Sequence, residues 1–153
     1  MKTMKKYVRI LLVAMISLMV LALAGCGEED KYNQTKTEVL TMVEQAKTIN
    51  DRKDSPYYSN DKEKTKMLRK EHGNERIDVL KGELKKREEL FSKINEKMKD
   101  MAGFAKGNGK LEADLTELKR NVEGEKASYI QMSKEAIWME KQEIELLKVK
   151  WHG

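Results

Sequence analysis

The chain has 153 residues, 37% of them charged and 6% aromatic, with 31 Lys and Arg against 26 Asp and Glu and a single cysteine. One cysteine excludes an intrachain disulfide framework, and two histidines without companions at helical spacing exclude a histidine-based zinc or di-iron site. The net charge of +5 invites a phosphate-binding reading, but four basic residues crowd into the first nine positions and the other 27 nearly balance the 26 acids, so no nucleic-acid partner is expected.

Lys2, Lys5, Lys6 and Arg9 precede an apolar run over residues 10–23, which closes on Leu23-Ala24-Gly25-Cys26. A basic start, an apolar middle and a small-residue end are the parts of a secretory signal. Ala24 and Gly25 suit a peptidase pocket, Leu23 its hydrophobic wall, and Cys26 supplies a sulfur. The run is short of the roughly 20 residues that a bilayer span needs, and the coincidence of these four residue types at its end favours a cleaved signal over an uncleaved anchor. The stretch resembles the lipobox of bacterial lipoproteins. That resemblance implies a diacylglyceryl group on Cys26 and removal of residues 1–25 by the lipoprotein signal peptidase. It also implies residence on the outer face of the cell membrane, or in an outer membrane where there is one. Gly27, rather than the Asp that resembles an inner-membrane retention signal, follows the cysteine. The 128 residues left after such a cut suit one domain. Residues 26–30 are expected to form a lipidated tether and residues 31–153 a helical domain.

Tyr32, Val39, Met42, Ala46 and Ile49 recur at helical spacing, and Leu40 and Val43 widen the stripe. This predicts an amphipathic helix over about residues 30–50. Residues 50–61 break the pattern and hold the only proline, in Ser55-Pro56-Tyr57-Tyr58, so a loop is expected whose tyrosines fold back over an apolar seam. Asn60 and Glu63 have capping-box spacing and predict a helix start.

Ile77, Leu80, Leu84, Phe91, Ile94, Met98 and Met101 then alternate in steps of three and four, with Arg87 the one polar residue in the seam. His72-Gly73-Asn74 marks either a kink or the start of this helix. Gly107-Asn108-Gly109 ends it, because positive φ is available there. A last helix carries Leu111, Leu115, Leu118, Val122, Tyr129, Met132, Ala136, Met139 and Leu146, with Glu125 and Glu143 in the seam. From about residue 130 a second stripe appears: Ile130, Ile137, Ile144, Leu147 and Trp151, with Trp138 beside it. The pattern predicts an all-α fold: an antiparallel helical hairpin or coiled coil with a third, N-terminal helix, forming an elongated three-helix bundle. The first helix is expected beside residues 65–85 and 130–151. Residues 84–130 would then project as a two-helix arm about 30 Å long.

No catalytic constellation emerges. The run from Gly103 to Leu111 fails as a phosphate loop, because no Ser or Thr follows Lys110 and a helix precedes it. Paired acids such as Glu88-Glu89 read as solvated helix faces. No cofactor or metal is expected. The mature part has a general likeness to small helical lipoproteins, including those described as cell-wall-binding. The expected function is therefore a lipid-anchored, non-enzymatic binding or scaffold protein at the cell envelope, held to the membrane by its lipid and contacting a protein or the cell wall. The alternatives are a self-assembling structural lipoprotein and, further off, a solute-binding one. Ile137, Trp138, Ile144, Leu147 and Trp151 are the candidate partner or homo-oligomer face.

Overall fold

The computed structural model describes residues 27–149, and every regular element within them is helical. Helix α1 spans Glu28–Thr48, a 3-10 turn covers Asp51–Asp54, and α2 spans Lys62–Glu71. Helix α3 spans Gly73–Ala105 and α4 spans Gly109–Val149. Leu23, Ala24, Gly25, Cys26 and Trp151 lie outside the described residues.

Local chemistry sets the element ends. Glu28, Glu29 and Asp30 form the first turn of α1 rather than part of a tether, since acids there meet the positive end of the peptide dipoles. Helix α2 starts one residue later than Asn60 predicts. Asp61 caps it, its Oδ1 accepting from the Lys64 N–H at 2.7 Å, and a carboxylate on the dipole's positive end outcompetes an amide. His72 (φ −130°, ψ 36°) separates α2 from α3 without a loop, so His72-Gly73-Asn74 is a helix start with a short helix abutting it. The approach at Gly73 is close: a Cβ there would stand 3.0 Å from Ile144 Cδ1, so any larger residue needs the Ile144 side chain to give way. Gly107 takes φ 80°, and the Asn108 side chain accepts from the Leu111 N–H at 3.3 Å to open α4.

Past this turn α4 returns along α3: Arg87 meets Ser133, and Arg76 meets Glu140. The apolar core occupies the half of the molecule next to the turn. Phe91, Ile94, Met98 and Met101 of α3 and Leu111, Leu115, Leu118 and Val122 of α4 enclose Tyr32, Val39, Val43 and Ala46 of α1. The expected two-helix arm is thus covered by α1, and the expected position of the first helix is wrong. Tyr32 Oη donates to Asp114 at 2.7 Å, while Lys36 and Lys97 pair with Asp114 and Glu38. At the other end of α1, Arg87 donates to the Ala46 and Ile49 carbonyls. The reason is continuity of apolar surface. Seams rich in Phe, Ile, Met and Leu near the turn offer α1 more area to bury than the polar opposite end.

Residues 51–71 cover that opposite end. The 3-10 turn and α2 contain no buried residue, so polar contacts hold this segment on the hairpin. Helix α4 responds by shifting its buried line. Beyond Tyr129 the buried positions are Ser133, Ile137, Glu140 and Ile144, and the expected seam residues Met132, Met139 and Leu146 stay exposed.

Candidate functional site

The site-like feature of the described residues is a buried cluster of charge where the loop and α2 cross the hairpin. Arg76 and Glu83 of α3 are each 2% exposed, and Arg87 and Glu140 are almost as deeply buried. A helix can carry such residues inward only where partners wait, because an unpaired buried charge costs several kcal/mol. The partners come from the strap over residues 51–71 and from α4.

Glu140 Oε1 accepts from Arg76 Nε at 2.6 Å and Arg69 Nε at 3.1 Å, and its Oε2 accepts from a second Arg69 nitrogen at 3.3 Å. Burial by itself raises the Glu140 carboxyl, but the hydrogen bonds and charges of the two arginines outweigh it and hold the group below the usual carboxylate range. Arg76 also donates to the Tyr57 carbonyl, and its guanidinium lies 3.9 Å from the Tyr58 ring centroid. Tyr58 Oη donates to the Arg76 carbonyl at 2.9 Å. Burial, then the charge of Glu140, pushes that phenol up to about 12. The paired tyrosines do fold back, but onto a buried arginine and not onto an apolar seam. Tyr57 meets His72 instead, with ring centroids 5.2 Å apart.

A second group ties α1 to the hairpin. Glu83 Oε1 accepts from the backbone N–H and Nε of Arg52, both at 3.2 Å. Arg87 donates to Ala46 O at 3.0 Å, Ile49 O at 2.7 Å and Ser133 Oγ at 2.7 Å. The last carbonyls of a helix lack intrahelical partners and carry partial negative charge, so a guanidinium there both satisfies and neutralises them. No buried side-chain nitrogen or oxygen among the described residues lacks a hydrogen-bond partner. Chemically the cluster is a clamp. Both buried carboxylates face guanidinium donors, which occupy their acceptor positions: Arg52 at Glu83, and Arg69 and Arg76 at Glu140.

An open groove beside the clamp is lined by Arg52, Tyr58, Arg69, Leu80, Ala136 and Met139. No group of three His, Cys, Asp or Glu among the described residues could hold a metal ion, and no described helix is long and apolar enough to cross a membrane.

The predicted partner face does not stay together. Ile137 and Ile144 are buried within the chain, Leu147 is half-buried, and Trp138 is 62% exposed on the other side of α4. Ile144 packs on Gly73 of α3, while Ile130, at the start of the second stripe, packs against the core that α1 completes. Arg87 was visible in the sequence as a polar intruder in a heptad seam. Arg76, Glu83, Ser133 and Glu140 were not, because each falls outside the expected apolar seam and meets a charged or polar partner from a distant part of the chain. No protein-family model, curated protein or solved structure matches this chain.

Proposed function

We propose that the chain is a lipid-anchored, extracytoplasmic lipoprotein acting as a non-enzymatic binding or scaffold protein at the cell envelope. One observation carries this reading: the lipobox-like Leu23-Ala24-Gly25-Cys26 closes an apolar run, and a polar helical body opens two residues later at Glu28. The two acyl chains of a diacylglyceryl group matter, since a single chain binds a bilayer only marginally. The helices are read as an elongated antiparallel three-helix bundle whose third layer is α1 over one half and the strap with α2 over the other.

Lipidation at Cys26 gives the bundle a direction. Tyr32, near the start of α1, bonds Asp114 near the turn, so the turn at Gly107 lies toward the membrane. The clamped end then points away, at the far end of a 41-residue α4 about 60 Å long. Contact with a protein or the cell wall would occur there. The end expected to project as a two-helix arm is then the one nearer the membrane.

Labelling with radioactive palmitate tests the anchor. The unaltered chain should take up label and lose residues 1–25, and Cys26→Ala should do neither; an unlabelled parent chain overturns the proposal. Self-assembly through the second stripe is the other reading, and the burial of Ile137 and Ile144 within the chain weighs against it. Sedimentation of the chain from Gly27 onward separates the two, because a concentration-independent monomer excludes assembly.

A further inference from the structure

We propose that the outer face of the last half of α4 docks a basic amphipathic helix of another protein; this deepens the binding-protein reading above and rests on it. Met132, Met139 and Leu146 repeat every seven residues and are 56%, 59% and 57% exposed, and Trp138 and Val149 join them at 62% and 71%. At about 100° per residue the five side chains fall within an arc of about 120°. Large apolar residues scattered singly on a surface mean little, but five gathered on one arc of one helix, interspersed with Gln131, Glu135 and Gln142, mark an interaction site. Methionines suit one that must adapt to a partner's ridges.

Charge selects the occupant. Glu135, Glu143 and Glu145 sit within or at the edges of the same arc, whereas Lys134, Lys141 and Lys148 project from the flank beyond it. Each acid makes one local contact: Glu135 accepts from Gln131, Glu145 from Lys148, and Glu143 lies 3.6 Å from Arg69. A carboxylate has about four acceptor positions, so the rim keeps capacity for incoming cations. A second copy fits poorly. The two-fold antiparallel pairing that matches Met132 with Leu146 sets Glu135 against Glu143 on both sides, and parallel pairing sets every acid against itself. An anionic lipid surface meets the same repulsion. A helix with apolar residues at steps of three and four, flanked by Lys or Arg, satisfies stripe and rim together.

The test uses the full chain with Trp151→Phe, which leaves Trp138 as the sole indole, reconstituted in phosphatidylcholine vesicles. The probe is an 18-residue Leu/Lys peptide of helical amphipathic pattern, compared with a scrambled peptide and a Leu/Glu version. The expected result is saturable one-to-one binding with a blue shift of Trp138 emission, beyond any signal from empty vesicles. Met139→Glu or Leu146→Glu should weaken binding at least tenfold with the circular dichroism unchanged, and the control peptides should not compete. Equal binding of the scrambled peptide, indifference to both substitutions, or a blue shift that grows with protein concentration without peptide overturns the proposal, the last by installing a second copy on the stripe. Palmitate labelling keeps the two readings apart. Peptide binding by an unlabelled chain sinks the anchor and keeps the site, and a labelled chain that ignores the peptide does the reverse.

Discussion

Replacing Glu140 by Leu removes one carboxylate from the clamp and keeps most of the volume. Arg76, 2% exposed, would lose the 2.6 Å bond that neutralises it. Arg69, less buried, keeps Glu143 within 3.6 Å and can turn toward water. Breaking a buried pair from one side costs about 3–5 kcal/mol. The Tyr57 carbonyl and the Tyr58 ring still hold Arg76, which places the expected loss near the lower end, about 3 kcal/mol. At about 0.05–0.15 kcal/mol per residue the body remains folded, so urea unfolding of the chain from Gly27 onward, followed by circular dichroism, reads the change as a lower midpoint at constant slope. Adding Arg76→Met removes the stranded cation, and the double variant should return to within about 1 kcal/mol of the parent. A loss below about 1 kcal/mol for Glu140→Leu, or a double variant no better than the single, would show that the cluster behaves as surface charge and would refute the clamp.

The remaining predictions use the same assay unless stated. The Glu140 carboxyl sits below its ordinary value, so its stabilisation is complete above the unfolded carboxylate range of about 4.3 and is lost as the pH falls through the folded value beneath it. The gap between parent and Glu140→Leu should therefore close on acidification, and a gap that widens below pH ~4 contradicts the assignment. Arg87→Lys should cost about 2 kcal/mol despite keeping the charge, since one ammonium cannot reach Ala46 O, Ile49 O and Ser133 together. Gly73→Val should destabilise by about 1–3 kcal/mol through the contact with Ile144, with Ile144→Val recovering part, whereas Gly82→Ala, with open space at its Cβ, should gain about 1 kcal/mol. Because the 3-10 turn and α2 bury no residue, chymotrypsin should cut at Tyr57 or Tyr58 before any site in α3, and faster in 1 M salt, which screens ion pairs beyond roughly 3 Å.

Sequence alone located the helices and the turn between the last two, though not every helix end. Heptad spacing through Phe91, Ile94, Met98 and Leu111, Leu115, Leu118 marks α3 and α4, and Gly107-Asn108-Gly109 marks the reversal, because periodicity and positive φ are local properties of a chain. The proposed lipid attachment rests on the sequence motif from Leu23 to Cys26. Tertiary structure decided where α1 lies, which stripe of α4 turns inward, and that Arg76, Glu83 and Glu140 are buried. Those outcomes depend on pairing between residues 31 or more apart, such as Arg52 with Glu83, Arg76 with Glu140 and Tyr32 with Asp114. A charged residue looks the same in a sequence whether it meets water or a partner from another helix. Only the packed chain determines which of the two it meets, and so which apolar face is left over for something else.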